Sequence, residues 1–182
     1  LDGKPLTLTI QVGSTSSDWL SVARIIVQNL ADIGISATID SPDWTEVTAA
    51  LETGTFETAV CWSTLGATPY TYYEATMSTQ KVKPIGTHAL ENYHRFGDEQ
   101  ATALLSQFAA TTDQAGQIEI CRQIQQRYAD QLPVIPLFPG PVWGAYTDEH
   151  FTGWPSQDHP YASLSTRSAT TVLVLNSLRP RA

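Results

Sequence analysis

Between Leu6 and Trp62 the hydrophobic period of the chain switches from two to about 3.6 and back, twice over. Residues 6–12 alternate apolar and polar side chains, as a half-buried strand does. Ser16, Ser17 and Asp18 then offer side-chain oxygens to the orphan N–H groups of a first helical turn. From Trp19, the apolar residues Ala23, Ile26, Val27, Leu30 and Ile33 recur three or four apart until Gly34, a natural helix stop. Alternation resumes over residues 35–40. Asp43 opens a shorter helix through Val47, Ala50 and Leu51, ended by Gly54, and residues 56–62 read as a third strand, apolar enough to be central. Successive strands separated by helices predict a mostly parallel sheet within an α/β fold, joined by right-handed crossovers and flanked by helices on both faces.

Downstream, Thr68-Pro69-Tyr70 opens a short helix, and residues 78–97 form a polar loop. Residues 98–110 and 113–132 read as helices. Short strands are expected at 134–138 and 142–146, around Pro139-Gly140-Pro141, and a last strand at 171–175 before a basic tail. With no repeat and no linker, the 182 residues are expected to form one α/β domain with a mixed sheet. The first residues carry no initiator Met, basic region or apolar run, so the start reads as a cut within a longer protein.

The formal charge of −8 argues against nucleic acid or an anionic membrane surface as partner. No apolar run approaches the ~20 residues of a spanning helix. Neither a nucleophile elbow, a phosphate-binding loop nor a clustered Cys pair is present, so no catalytic residue is assigned and an enzyme is not expected. His88 and His94 flank Glu91 but lack the i, i+4 spacing of a helical zinc pair, so no metal or cofactor is expected. Glu119 and Arg122 read as a solvated helix face. Cys61 and Cys121 read as small buried hydrophobes, pairing only if the fold brings them together.

Gly3-Lys4-Pro5-Leu6-Thr7-Leu8-Thr9-Ile10, the helix Ala23 to Leu30 running into Gly34-Ile35, Gly54-Thr55-Phe56-Glu57, and Leu132-Pro133-Val134-Ile135-Pro136-Leu137 together resemble the C-terminal lobe of family 5 solute-binding proteins. The resemblance implies a periplasmic-binding-protein-like fold, with residues 1–182 as a single ligand-binding lobe of a two-lobe clamp. It implies the remaining lobe and a membrane-embedded ABC permease as partners, and an extracytoplasmic location, periplasmic or as a cell-surface lipoprotein. Within the family, Trp62 with Thr68-Pro69-Tyr70, Ile85-Gly86, Glu91-Asn92-Tyr93-His94-Arg95, Val142-Trp143 and Phe151-Thr152-Gly153-Trp154-Pro155 are similar to the cello-oligosaccharide branch. Ser63-Thr64-Leu65-Gly66 holds no carboxylate where peptide receptors of the family carry one, which favours a neutral ligand. An oligosaccharide is therefore the leading ligand and an oligopeptide or dipeptide the alternative.

Sugar recognition needs flat aromatic faces and hydrogen-bonding groups. Trp44 and Trp62 are the leading candidates, Trp62 because ligands of parallel sheets sit beyond the carboxyl ends of strands. Tyr70, Asn92, Tyr93 and Arg95 follow, as residues that face the cleft in the resemblance. Plainer readings stand beside them: Trp44 as a staple between helix and sheet, Asn92-Tyr93 as a solvated turn, Trp19 as edge packing, and Trp143 and Trp154 as braces among prolines.

Overall fold

The computed structural model describes residues 5–181 apart from 65, 67, 141, 142 and 167. The chain forms two compact units, residues 1–135 and 136–182. In the first, β1 (Thr7–Gln11), α1 (Ser17–Asp32), β2 (Ser36–Asp40), α2 (Trp44–Thr53) and β3 (Thr58–Ala59) follow the expected alternation. All three strands are parallel, in the order β2-β1-β3, with Thr7 opposite Ser36 and Ile10 opposite both Ile39 and Thr58. Because the chain steps from β1 outward to β2 and then back across β1 to β3, right-handed crossovers place α1 and α2 on opposite faces.

The period-2 pattern sends Ile10, Val12, Ala37, Ile39 and Val60 to one side, where they pack with Ala23 and the α1 stripe of Leu20, Ile26, Val27 and Leu30. Trp19 packs at the margin of this cluster. α2 is capped as its sequence predicts: the Asp43 carboxylate accepts from the N–H groups of Thr45 and Glu46, and Gly54 closes the helix at φ 71°.

The third strand departs from expectation. It is two residues long and lies at an edge of the three-stranded sheet, with β1 in the centre. Just before it, the Glu57 carboxylate takes the Thr9 N–H at 2.7 Å, a side chain standing in for a ladder carbonyl. Cys61 is exposed and Cys121 half-buried, both free, so the reading as buried hydrophobes fails for Cys61.

A second core lies between α3 (Pro69–Met77), α4 (Glu99–Ala110) and α5 (Gln114–Gln131): Tyr73, Met77, Ala101, Leu104, Leu105, Ile124 and Tyr128. Tyr128 donates to the Val134 carbonyl at 2.8 Å, so its one proton is committed and Tyr72 must donate across the 2.6 Å contact between the two hydroxyls. Burial raises the Tyr128 hydroxyl far above its ordinary value, which keeps this relay neutral. The strand expected at 134–138 does not form. Pro133, Pro136 and Pro139 remove ladder donors, and the Val134 carbonyl is taken by Tyr128. Residues 143–146 are likewise not a strand, and Val142 lies outside the described residues, as do Gly3, Lys4 and Leu65.

The second unit contains α6 (Thr171–Ser177) and an antiparallel pair, β4 (Phe151–Thr152) with β5 (Arg179–Pro180). Here α6 replaces the expected last strand. Its apolar run is too short for periodicity to separate helix from strand, and only Val174 is buried. The turn before it is fixed by side chains, with Ser168 Oγ accepting the Thr170 N–H at 3.2 Å and Thr171 Oγ1 donating to the Ser165 carbonyl at 3.1 Å.

α4 begins on a charge pair. Asp98, 8% exposed, accepts the Ala101 N–H at 2.7 Å and both Arg127 Nε–H and Nη2–H at 2.5 Å, tying α4 to α5. The Arg127 guanidinium holds the Asp98 carboxyl below its ordinary value. Losing cap and partner together in Asp98→Ala is expected to cost about 2–4 kcal/mol in urea denaturation. The folded value lies below the unfolded one of about 3.9, so this stabilisation is complete above the unfolded value and is lost as pH falls through the folded one. Asp98→Asn, which keeps an acceptor and removes the charge, should flatten the acid limb of the stability–pH curve; an unchanged limb would show that the pair does not set it.

Candidate functional site

The carboxyl ends of the parallel strands lead directly into tryptophans. β1 leads through Val12 and Gly13 to Trp19 in the first turn of α1, β2 leads to Trp44 at the first position of α2, and β3 leads to Trp62. The ladder runs past the strand ends, with Val12 N–H on the Asp40 carbonyl at 3.0 Å and Ser14 N–H on the Pro42 carbonyl at 2.9 Å, so these approaches are rigid. The rings meet in a row. Trp19 stands edge-on to Trp44 at 5.4 Å and 82°, Trp44 is tilted on Trp62 at 5.5 Å, and Trp62 stands edge-on to Tyr93 at 6.2 Å. Such pairs contribute about 0.5–1.5 kcal/mol each beyond their buried area. Trp62 is 43% exposed, while Trp19, Trp44 and Tyr93 are half-buried. The result is a partly exposed row of aromatic rings beyond the carboxyl ends of the strands, where α/β proteins place ligands.

Tyr93 is delivered by the loop of residues 82–98, which docks on the C-terminal end of α2. The Glu52 carbonyl accepts the Ala89 N–H at 2.9 Å and Arg95 Nη2–H at 2.7 Å, and the Thr53 carbonyl accepts the Gly86 N–H at 2.7 Å. A guanidinium at a helix C-terminus also meets the negative end of the helix dipole. Arg95 bonds the Thr87 carbonyl as well, at 3.0 Å, whereas its buried Nε and Nη1 have no hydrogen-bond partner among the described residues. Asn92, 4% exposed, closes the loop on itself: its amide donates to the Phe96 carbonyl at 2.7 Å and its oxygen accepts the Phe96 N–H at 3.0 Å. Asn92 and Arg95 both hold positive φ, 53° and 56°.

The neighbouring titratable groups are committed as well. Tyr93 donates to the Leu90 carbonyl at 3.0 Å, and burial, reinforced by the Glu52 charge, raises its hydroxyl above the ordinary value. Burial lowers the His94 imidazole, whose Nε2–H donates to the Thr76 carbonyl at 2.8 Å. His88 pairs with Glu52 at 2.9 Å and Glu91 with Lys81 at 2.7 Å, so His88, Glu91 and His94 each have a separate partner. Among the described residues no group of three or more His, Cys, Asp or Glu converges on one point.

Of the six candidates, Trp44, Trp62 and Tyr93 are therefore brought together. Asn92 and Arg95 stand behind them as the loop's fasteners. Tyr70 is elsewhere, stacked on Phe108 at 5.6 Å and 27° against the helical core. Trp19 joins the row while also packing on the sheet. Its place after β1, matching that of Trp44 after β2, is the signal in the sequence for that role. In the second unit Trp154 stacks on Tyr146 at 4.9 Å and donates to the Phe151 carbonyl at 3.1 Å, while Trp143 is 77% exposed.

No family model matches the sequence, and no curated protein matches it. Solved structures do. An oligopeptide ABC transporter periplasmic oligopeptide-binding protein from Thermotoga maritima matches 99% of this chain with a TM-score of 0.85 at 22% identity. Its mannohexaose-bound form matches the same share with a TM-score of 0.83. The periplasmic binding protein DppA from Helicobacter pylori, in complex with a peptide, matches 71% with a TM-score of 0.62 at 23% identity. The chain spans 34% of the length of the Thermotoga protein and 24% of the Helicobacter one. Identities of this size speak for fold. The chain has the α/β fold of a segment of a periplasmic binding protein.

The loop geometry makes a prediction about Asn92. Alanine there loses two buried hydrogen bonds and must hold a left-handed backbone, costing about 2–4 kcal/mol in urea denaturation. Asn92→Gly should cost less than Asn92→Ala because it removes the backbone term. Equal costs would contradict this assignment.

Proposed function

We propose that this chain is the part of an ABC importer's solute-binding protein that presents an aromatic platform to an oligosaccharide, with cello-oligosaccharides as the leading class. The observation that carries the reading is the row Trp19, Trp44, Trp62 and Tyr93, open to solvent at Trp62. An indole face suits the apolar C–H face of a pyranose. Trp44 and Trp62 are the stacking residues, and Tyr93 borders them. Asn92 and Arg95 act by holding the loop. Tyr70 belongs to the same reading only if the cleft extends to α3.

The carboxylates on these segments suit a neutral ligand. Asp43 caps α2, Asp40 accepts from Gln11 at 3.0 Å, and Glu52 pairs with His88. Asp18 and Glu46 occupy first helical turns, where the helix dipole favours a negative charge. The Thermotoga neighbour, named as oligopeptide-binding, was solved with mannohexaose, which supports an oligosaccharide on this fold. A peptide ligand is the second reading, favoured by that name and by the peptide in the Helicobacter complex.

In this reading the protein is a receptor rather than an enzyme. It works outside the cytoplasm, closes on its ligand together with a remaining lobe, and delivers it to a membrane permease. No helix among the described residues is long and apolar enough to cross a membrane.

A thermal-shift screen of the full-length protein against cello-, manno- and xylo-oligosaccharides and di- to pentapeptides tests this, because a ligand that binds only the folded state raises the midpoint. Midpoints raised by oligosaccharides and not by peptides are expected, and shifts with peptides alone would overturn the sugar reading. In the full-length protein Trp62→Ala is expected to cost at least about 1 kcal/mol of oligosaccharide affinity by calorimetry. Unchanged affinity would remove Trp62 from the site.

A further inference from the structure

Gly13 follows β1, is buried, and has a φ outside the left-handed region. Alanine adopts such a backbone without strain, so the glycine does not serve conformation. It serves space. A Cβ at position 13 would lie 2.2 Å from Trp44 Cε2 and 2.6 Å from both Cδ2 and Cζ2, at and beside the fusion bond of the indole. Carbon atoms in contact settle near 3.5–4.0 Å, so the Trp44 ring rests on the bare Cα of Gly13.

Neither partner can easily give way. The backbone at 12–16 is fastened by the bonds from Val12 and Ser14 and by Ser16 N–H on the Gly13 carbonyl at 3.1 Å. Trp44 follows a capped helix start and is flanked by Trp19 at 5.4 Å and Trp62 at 5.5 Å. Relief of the clash therefore means moving the indole out of the row.

We propose that Gly13 is a positioning residue: the missing side chain sets the pose in which Trp44 joins the row, so that volume at position 13 controls the aromatic surface offered to ring-bearing ligands. The control of ligand binding rests on the oligosaccharide reading proposed above; the control of the Trp44 pose does not.

The test compares full-length wild type, Gly13→Ala, Trp44→Leu and the double variant. It reads the coupled-indole circular dichroism of the Trp19–Trp44 pair, the urea midpoint and the calorimetric affinity for cellopentaose. Gly13→Ala is expected to diminish the coupled band and to weaken cellopentaose at least about fivefold. In the Trp44→Leu background the same substitution should leave the midpoint unchanged and any remaining affinity within about twofold, since the clash has gone. A band and affinity untouched by Gly13→Ala overturn the proposal, and so does an equal fall of the midpoint in both backgrounds. A Gly13→Ala chain that does not fold beside a double variant that does supports the proposal; failure of both while Trp44→Leu folds overturns it. If wild type binds no cellopentaose or other oligosaccharide, the ligand reading falls, and the band and midpoint still decide the pose of Trp44.

Discussion

The two ends of α2 organise the site. At the N-terminal end the Asp43 carboxylate satisfies two orphan N–H groups and fixes where Trp44 leaves the backbone. At the other end, carbonyls that a helix cannot satisfy internally are taken by the loop of residues 82–98, through Gly86, Ala89 and the Arg95 guanidinium. A charged donor on such a carbonyl is worth more than a neutral one. Arg95 closes a circuit in which helix, loop and Tyr93 fix one another, and Trp62, coming off β3, fills the gap between Trp44 and Tyr93. Without that circuit the loop would be a long polar excursion with little reason to hold an aromatic ring in place.

The row also shows how one set of rings serves stability and exposure together. Trp19 leans on the α1–sheet cluster and touches Trp44 by its edge. Burial therefore grades along the row, from packing at Trp19 to an open face at Trp62. A rigid, partly exposed aromatic surface binds with less ordering cost than a mobile one, because few rotamers are lost when a ligand arrives. Asp43, Asn92, His94 and the Tyr93 hydroxyl are already bonded within the protein, so the exposed part of the row offers mainly ring faces. In the proposed reading, this surface favours a neutral, ring-shaped solute over a charged one.

The α/β alternation from Leu6 to Ala59 was legible because each helix carried both a stripe and stop signals. Asp43, Gly54, Asp98 and Asp113 mark helix ends in the sequence and do so in the structure. Where those signals lapsed, so did the reading. An apolar run at 171–175 fits a helix and a strand equally, and prolines emptied the strands expected after residue 133. The partner of β3 was invisible because an edge position depends on strand order, which period-2 alternation does not contain. For the site, position after a strand singled out Trp44 and Trp62. That Arg95 fastens the loop depends on the Glu52 carbonyl of α2, some 40 residues away in sequence, a distance that no local pattern spans. The seat of Trp44 on Gly13 required both ring and backbone in place.

A ligand seated on the row must touch Trp44 and Trp62. Full-length protein labelled with 5-fluorotryptophan, its resonances assigned by single Trp→Phe substitutions, can be titrated with cello- and manno-oligosaccharides and followed by fluorine NMR. The Trp44 and Trp62 signals are predicted to move and to saturate together at one ligand concentration. Saturable binding seen by calorimetry with the Trp44 and Trp62 signals unmoved would contradict this placement of the ligand.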